Sequence, residues 1–173
     1  MLQRLNPDPE VCKILSKFIV DTKMSWSKQD GGLQKMSMDE WQNFKSVGEY
    51  DIVRADNCIN LQHETKARRK LQPVADMLGA NCLTNYNYYP KGNYLTWHTN
   101  SDVQGTRTYY SFCSGGYSCF RYIDPDTKEV IDVVDKKGWN VNQFIVSKEK
   151  PLWHTVYSDT RRFSFGFNTE KHS

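Results

Sequence analysis

Eighteen of the 23 aromatic residues in this chain lie between Tyr86 and Phe167. Rings and β-branched side chains suit a pleated, half-buried surface, so the second half reads as sheet. From Leu83 onward, short runs alternate with turn signals at Pro90-Lys-Gly92, Gly115-Gly116, Asp124-Pro125-Asp126 and Lys137-Gly138. Strands of about six residues between such turns predict an antiparallel sandwich or barrel. The first half reads otherwise. Pro7 stands where a first helical turn tolerates it, and Val11, Ile14, Leu15, Phe18 and Ile19 recur at helical spacing, which predicts an amphipathic helix over 8–22. Gly31-Gly32 marks a loop. Ser37-Met-Asp-Glu40 fits a capping box that opens a short helix through Trp41 and Phe44. A third helix is expected from Ile59 to Leu78, with Pro73 kinking or dividing it.

Length and composition narrow the class. The chain has 173 residues, room for one domain and not two, so 1–173 is taken as a single α+β domain. Residues 1–82 would be mainly helical support and 83–168 the β core. The formal net charge of +3 is too mild to imply nucleic acid by itself. No apolar run approaches the roughly 20 residues of a membrane span, and MLQRLNPDPE lacks the apolar stretch of a signal peptide. Five cysteines, an odd number without a Cys-x-x-Cys pair, encode neither a disulfide framework nor a zinc ribbon. A reduced, soluble cytoplasmic protein is the default expectation.

The strands carry the chemistry. In Asn93-Tyr-Leu-Thr-Trp-His-Thr-Asn100, a side-chain period of two puts Tyr94, Thr96, His98 and Asn100 on one face. His154 shares a face with Leu152 and Val156. In Arg161-Arg-Phe-Ser-Phe-Gly-Phe167, three Phe face one way and Arg162, Ser164 and Gly166 the other, with Arg161 turned to solvent. Burying a guanidinium is costly unless an anion meets it. Arg162 with a hydroxyl two residues on suits a carboxylate, the Arg as a fork and the Ser adding a bond.

This arrangement resembles the 2-oxoglutarate- and Fe(II)-dependent oxygenases on the double-stranded β-helix, or jelly-roll, fold. Their pattern is His-x-Asp/Glu, a distal His, then Arg-x-Ser; here it reads His98-Thr-Asn100, His154 and Arg162-Phe-Ser164. Tyr89-Pro-Lys-Gly92 is similar to the Tyr-x-x-Gly stretch of the prolyl-4-hydroxylase-like branch. Arg107, Tyr109-Tyr110 and Gly115-Gly116 follow in that branch's order, and the resemblance covers roughly 83–168. Small phage-encoded oxygenases share this compact size. The resemblance implies Fe(II) on His98, Asn100 and His154. It also implies 2-oxoglutarate held by Arg162, Ser164 and Tyr89, and hydroxylation coupled to oxidative decarboxylation. The substrate would be a small molecule or a peptidyl group.

One position departs from the pattern. The third ligand of such sites is a carboxylate, and this chain has Asn100. Four readings stay open. Asn100 ligates through its oxygen or a water; Asp102 takes its place; the position is left to an exogenous anion, as in related halogenases; or the site is catalytically silent. In the last case the chain is a non-enzymatic jelly-roll binding module. A nucleic-acid modifier, supported only by Lys66, Arg68, Arg69 and Lys70, ranks last. That run otherwise reads as a solvated helix face. His63 and His172 read as solvated, and Trp139 and Trp153 as packing residues. Tyr86, Tyr88, Tyr94 and Trp97 either line the pocket or fill the core.

Overall fold

A computed structural model describes residues 2–29, 33–47, 56–100 and 103–169. Two antiparallel sheets face each other. The first runs in the order β1 (Gln3–Leu5), β9 (Gly138–Val146), β6 (Gly105–Cys113), β11 (Arg162–Thr169), β4 (Cys82–Tyr89), β3 (Ile59–Asn60). The second runs β2 (Asp56–Asn57), β5 (Asn93–His98), β10 (His154–Ser158), β7 (Ser118–Ile123), β8 (Val130–Val134). From β4 onward the chain passes back and forth between the sheets. Among the described residues, β7 and β8 are the one hairpin within a single sheet.

The outer face of the six-stranded sheet carries Phe163, Phe165 and Phe167 with Tyr86, Tyr88, Leu83 and Tyr110. Helix α1 (Pro9–Asp21) lays Val11, Leu15 and Phe18 onto it. Asp8 caps that helix, accepting from the Glu10 and Val11 amides, and Pro9 sits in the first turn, where a missing N–H costs nothing. Helix α2 (Lys23–Trp26) adds Trp26, whose ring lies 5.1 Å from Phe163 while its Nε1 donates to the Ile19 carbonyl. Each large side chain buried here contributes about 1.5–3 kcal/mol relative to exposure. Tyr86 and Tyr88 therefore fill this core rather than line a pocket.

Helix α3 (Met38–Asn43) covers the outer face of the second sheet. The expected capping box is present: Ser37 accepts from the Glu40 amide, and Glu40 accepts from the Ser37 amide. Trp41, fully buried, stacks on Tyr157 at 5.2 Å, and Phe44 packs against Tyr94 and Trp97. Tyr94 and Trp97 thus belong to this outer core.

Three expectations change. Residues 59–78 do not form one helix. Ile59–Asn60 joins the sheet edge opposite Tyr88 and Asn87, and the helical part is two pieces, α4 (Ala67–Lys70) and α5 (Gln72–Met77), with Pro73 in the first turn of the second. The apolar spacing of Leu61, Ala67, Leu71 and Val74 imitates a single helix because both pieces bury the same side. The first half, expected to be mainly helical, also supplies β1, β2 and β3 among the described residues. Finally, strand parity breaks in β5. Val156 pairs with Leu95 but His154 pairs with His98, so Thr96 and Trp97 oppose Thr155 alone. This bulge puts Tyr94 on the face opposite His98 and lets Leu95 and His98 share the interior.

Candidate active site

Between the sheets lies a cavity of about 370 Å³. Its floor is the inner face of the six-stranded sheet, and its polar rows follow from register. Arg162 pairs across with Tyr89 and Cys113, Ser164 with Asn87 and Ser111, Gly166 with Asn85 and Tyr109, and Asn168 with Arg107. A Cβ on Gly166 would come within 1.9 Å of Asn85 Oδ1 and 2.7 Å of Tyr109 Cε1, so only glycine lets these two side chains meet over the strand. The opposite wall carries Leu95, His98, Phe120, His154 and Val156.

The two histidines stand side by side, ring centroids 4.1 Å apart. His154 Nδ1 lies 2.9 Å from the Leu152 carbonyl and His98 Nδ1 lies 2.7 Å from the Thr96 carbonyl. A carbonyl only accepts, so each Nδ1 carries the proton and each Nε2 keeps its lone pair. Fixing the tautomer through the remote nitrogen is how proteins prepare imidazole for a metal. Phe120 stacks on His154 at 5.1 Å and Phe144 flanks it at 5.5 Å. Burial, then the neighbouring His98, pushes His154 well below the usual imidazole range, which keeps it neutral.

Asn100 completes the third point. Its Nδ2 lies 3.3 Å from His154 Nε2 and donates to the Tyr109 hydroxyl at 3.3 Å. Rotating the amide by half a turn exchanges its nitrogen and oxygen, so either atom can face the histidines. Asp102, the alternative third ligand, falls outside the described residues, as do Gly31-Gly32 and His172. Among the described residues no three His, Cys, Asp or Glu side chains form a metal-ligating group.

Arg162 is buried, and the anion that meets it belongs to the protein. Its Nε donates to Asp135 Oδ2 at 2.9 Å and its Nη2 to Ser111 Oγ at 2.8 Å, while Nη1 has no partner. Ser118 also donates to Asp135 Oδ2, at 2.8 Å. Tyr89 lies face-on to the guanidinium at 5.3 Å, and burial pushes its phenol well above the usual range, so it is a donor. Ser164 Oγ lies 3.5 Å from Ser111 Oγ. Arg162, Ser164 and Tyr89 all line the cavity, as do His98, His154 and Asn100. Arg161 is exposed, as expected, and so is His63.

Sequence reasoning missed Asp135, Ser111, Asn85, Asn87 and Asn168. It used Arg107 only as a landmark in strand order. The alternation Arg107, Tyr109, Ser111 inward and Tyr110, Phe112 outward was available to find the β6 row. Asp135 gave no such signal, because Asp135-Lys-Lys-Gly138 reads as a solvated turn.

No family model matches the sequence, and no curated protein matches it. Solved structures do match in fold. A prolyl hydroxylase from Trichoplax adhaerens, in complex with a hypoxia inducible factor oxygen degradation domain peptide fragment, superposes with a TM-score of 0.54 at 14% identity, over 98% of this chain and 83% of that one. A Pseudomonas putida prolyl-4-hydroxylase gives 0.54 at 14% identity, over 99% and 92%. OsALKBH1 gives 0.41 at 15% identity, and this chain spans 62% of that structure's length. The chain has the fold of the two prolyl hydroxylases.

Proposed function

We propose that this chain is a non-haem Fe(II)/2-oxoglutarate-dependent oxygenase of the hydroxylase type. The sheet order, with the chain passing between sheets from β4 to β11, fits a double-stranded β-helix. The observation that carries the reading is the paired histidines, each with Nδ1 tied to the carbonyl two residues before it, facing a wall that holds a buried arginine whose Nη1 has no partner. Imidazole suits Fe(II), and the amide of Asn100 is a third, neutral donor.

In this reading His98 and His154 hold the metal through Nε2, and Asn100 sits at the third position through its oxygen or a water. Tyr109 keeps the Asn100 amide in place. Arg162 Nη1, Ser164 Oγ and the Tyr89 hydroxyl receive the distal carboxylate of 2-oxoglutarate. Asp135 holds the guanidinium in position by its Nε. Leu95, Phe120 and Val156 keep that part of the cavity apolar and exclude water. When bound, Fe(II) with 2-oxoglutarate supplies the oxidising chemistry, in which O2 is consumed, the keto acid becomes succinate and CO2, and a substrate C–H bond is hydroxylated.

A second reading rests on Asp135 and Asn100. The carboxylate that a cosubstrate would bring to Arg162 is already present, and the third metal position is neutral. A jelly-roll binding module without tight iron binding would have both features.

Titration of Fe(II) and 2-oxoglutarate into metal-free protein without oxygen separates the readings. The expected result is a weak visible band near roughly 500–550 nm in the native chain, with Asn100→Asp binding iron at least about tenfold tighter. A band only in Asn100→Asp favours the binding module. A band in neither protein overturns the metal assignment.

A further inference from the structure

Among the described residues three arginines are buried, and two of them are paired with carboxylates. Arg121 donates two hydrogen bonds to Asp132, from Nε at 2.5 Å and from Nη2 at 2.9 Å, and Arg162 meets Asp135. Arg107 is the exception. It is 5% exposed, its Nε has no partner, and among the described residues no carboxylate stands in ion-pair reach of it. A buried guanidinium without a counter-ion is unfavourable in the empty protein, so its place in a cavity wall points to an anion from outside.

The surroundings agree. Asn168, in register with Arg107 on the neighbouring strand, is 1% exposed, and neither end of its amide has a partner. Both line the cavity, together with Arg68 from α4 and Asn85. This cluster is separate from the Arg162 end. Arg162 pairs with Cys113, six residues along β6 from Arg107, which is about 20 Å at strand spacing. In the reading above the distal carboxylate of the cosubstrate goes to Arg162, which leaves Arg107 without an assigned partner.

We propose that Arg107 and Asn168 form an oxyanion site, and that the substrate of the reaction proposed above is a small molecule bearing a carboxylate or phosphate docked there. This rests on that reading for the word substrate, though not for the binding. The guanidinium would take two oxygens of the anion and the Asn168 amide a third polar atom. The cavity, at about 370 Å³, is at the small end for ligand sites, which favours a small molecule over a peptide segment.

The test uses metal-free full-length protein without 2-oxoglutarate, at constant ionic strength. Inorganic phosphate and acetate are titrated separately against a chloride control, by calorimetry and thermal denaturation. At least one of the two should raise Tm by about 5 °C or more at a hundredfold excess over its Kd, and the more effective one identifies the anion class. Arg107→Met should lower the affinity at least about tenfold and, in chloride alone, melt no lower than the native chain, because it removes an unpaired buried charge. Should Arg107→Met fail to fold, Arg107→Lys keeps the charge without the fork and should bind severalfold more weakly. No response to either anion, or an unchanged response in the folded variant, overturns the proposal. Failure of the oxygenase reading shows elsewhere, as a missing visible band in a protein that still binds the anion.

Discussion

Replacing Asp135 by Asn tests the Arg162 end of the cavity in two ways at once. The Asp135 and Arg162 side chains are 0% and 2% exposed, and the bond between them is 2.9 Å. Removing one partner of a buried pair leaves an uncompensated charge, which costs about 3–5 kcal/mol. Ser118 and Arg162 Nε both donate to the same oxygen, so an amide oxygen placed there can still accept from both, and what is lost is the charge. Against a usual stability of about 5–15 kcal/mol, the variant should remain folded but weakened.

The same change releases Arg162 for a ligand. In the native chain a carboxylate must share the guanidinium with Asp135 and is offered only Nη1. In Asp135→Asn it meets a guanidinium whose charge is no longer neutralised, so 2-oxoglutarate should bind at least about tenfold tighter, which is about 1.4 kcal/mol. Saturation at a hundredfold excess adds about 2.7 kcal/mol and recovers much of the loss. Urea denaturation with and without 2-oxoglutarate, beside a calorimetric titration, reads both numbers. A loss under about 1 kcal/mol would contradict the buried ion pair. Weaker 2-oxoglutarate binding would remove Arg162 from the cosubstrate site.

Three further outcomes follow from the packing and the charges. Gly166→Ala should cost about 1–3 kcal/mol by overpacking, because its Cβ meets Asn85 and Tyr109; adding Asn85→Ala should restore part of it in urea denaturation, and full additivity would reject that contact as the cause. Trp41→Ala should cost about 3–5 kcal/mol, since the ring is fully buried between Tyr157 and the Arg121 guanidinium, 4.0 Å from its centroid; a loss under about 1 kcal/mol would mean that α3 is not anchored by it. His154 is held neutral in the folded metal-free chain, chiefly by burial. The unfolded chain therefore takes up a proton below about pH 6.5 that the folded chain refuses, and stability should fall with pH there by up to about 1.4 kcal/mol per unit. His154→Gln should flatten that slope, and identical slopes in the two proteins would show that His154 is not the group responsible.

How much of this was legible depends on what each residue's neighbours are in sequence. The β11 strand was readable because it is buried on both faces with opposite chemistry, Phe on one and Arg-x-Ser-x-Gly on the other. The α1 helix and the Ser37 capping box were readable because caps and apolar spacing are local. The β5 bulge was not, since two residues opposing one is a property of the partner strand and no Gly or Pro marks it. The Arg162–Asp135 pair was hidden for the same reason. Twenty-seven residues separate its members, and only the stacking of the β8–β9 turn beside β11 brings them together. Helical spacing over 59–78 misled because a sheet edge and two short helices bury the same side as one long helix would.

Asn100 and Arg107 belong to one electrostatic argument. With two neutral imidazoles and a neutral amide as its protein donors, Fe(II) would receive its only anionic oxygen from the keto acid, leaving the centre one unit more positive than with a carboxylate at the third position. The Arg162–Asp135 pair is neutral by itself, so a distal carboxylate docked there leaves that end one unit negative and offsets the excess at the metal. Arg107 is then the charge left over, close enough to disfavour a proton on His154. A neutral substrate would leave that charge standing in a partly apolar cavity, where effective dielectric is low and such charges are costly. An anionic substrate at Arg107 answers it. Asn100→Asp should therefore tighten iron binding while weakening anion binding at Arg107, and this opposite movement is what a purely local role for Asn100 would not produce.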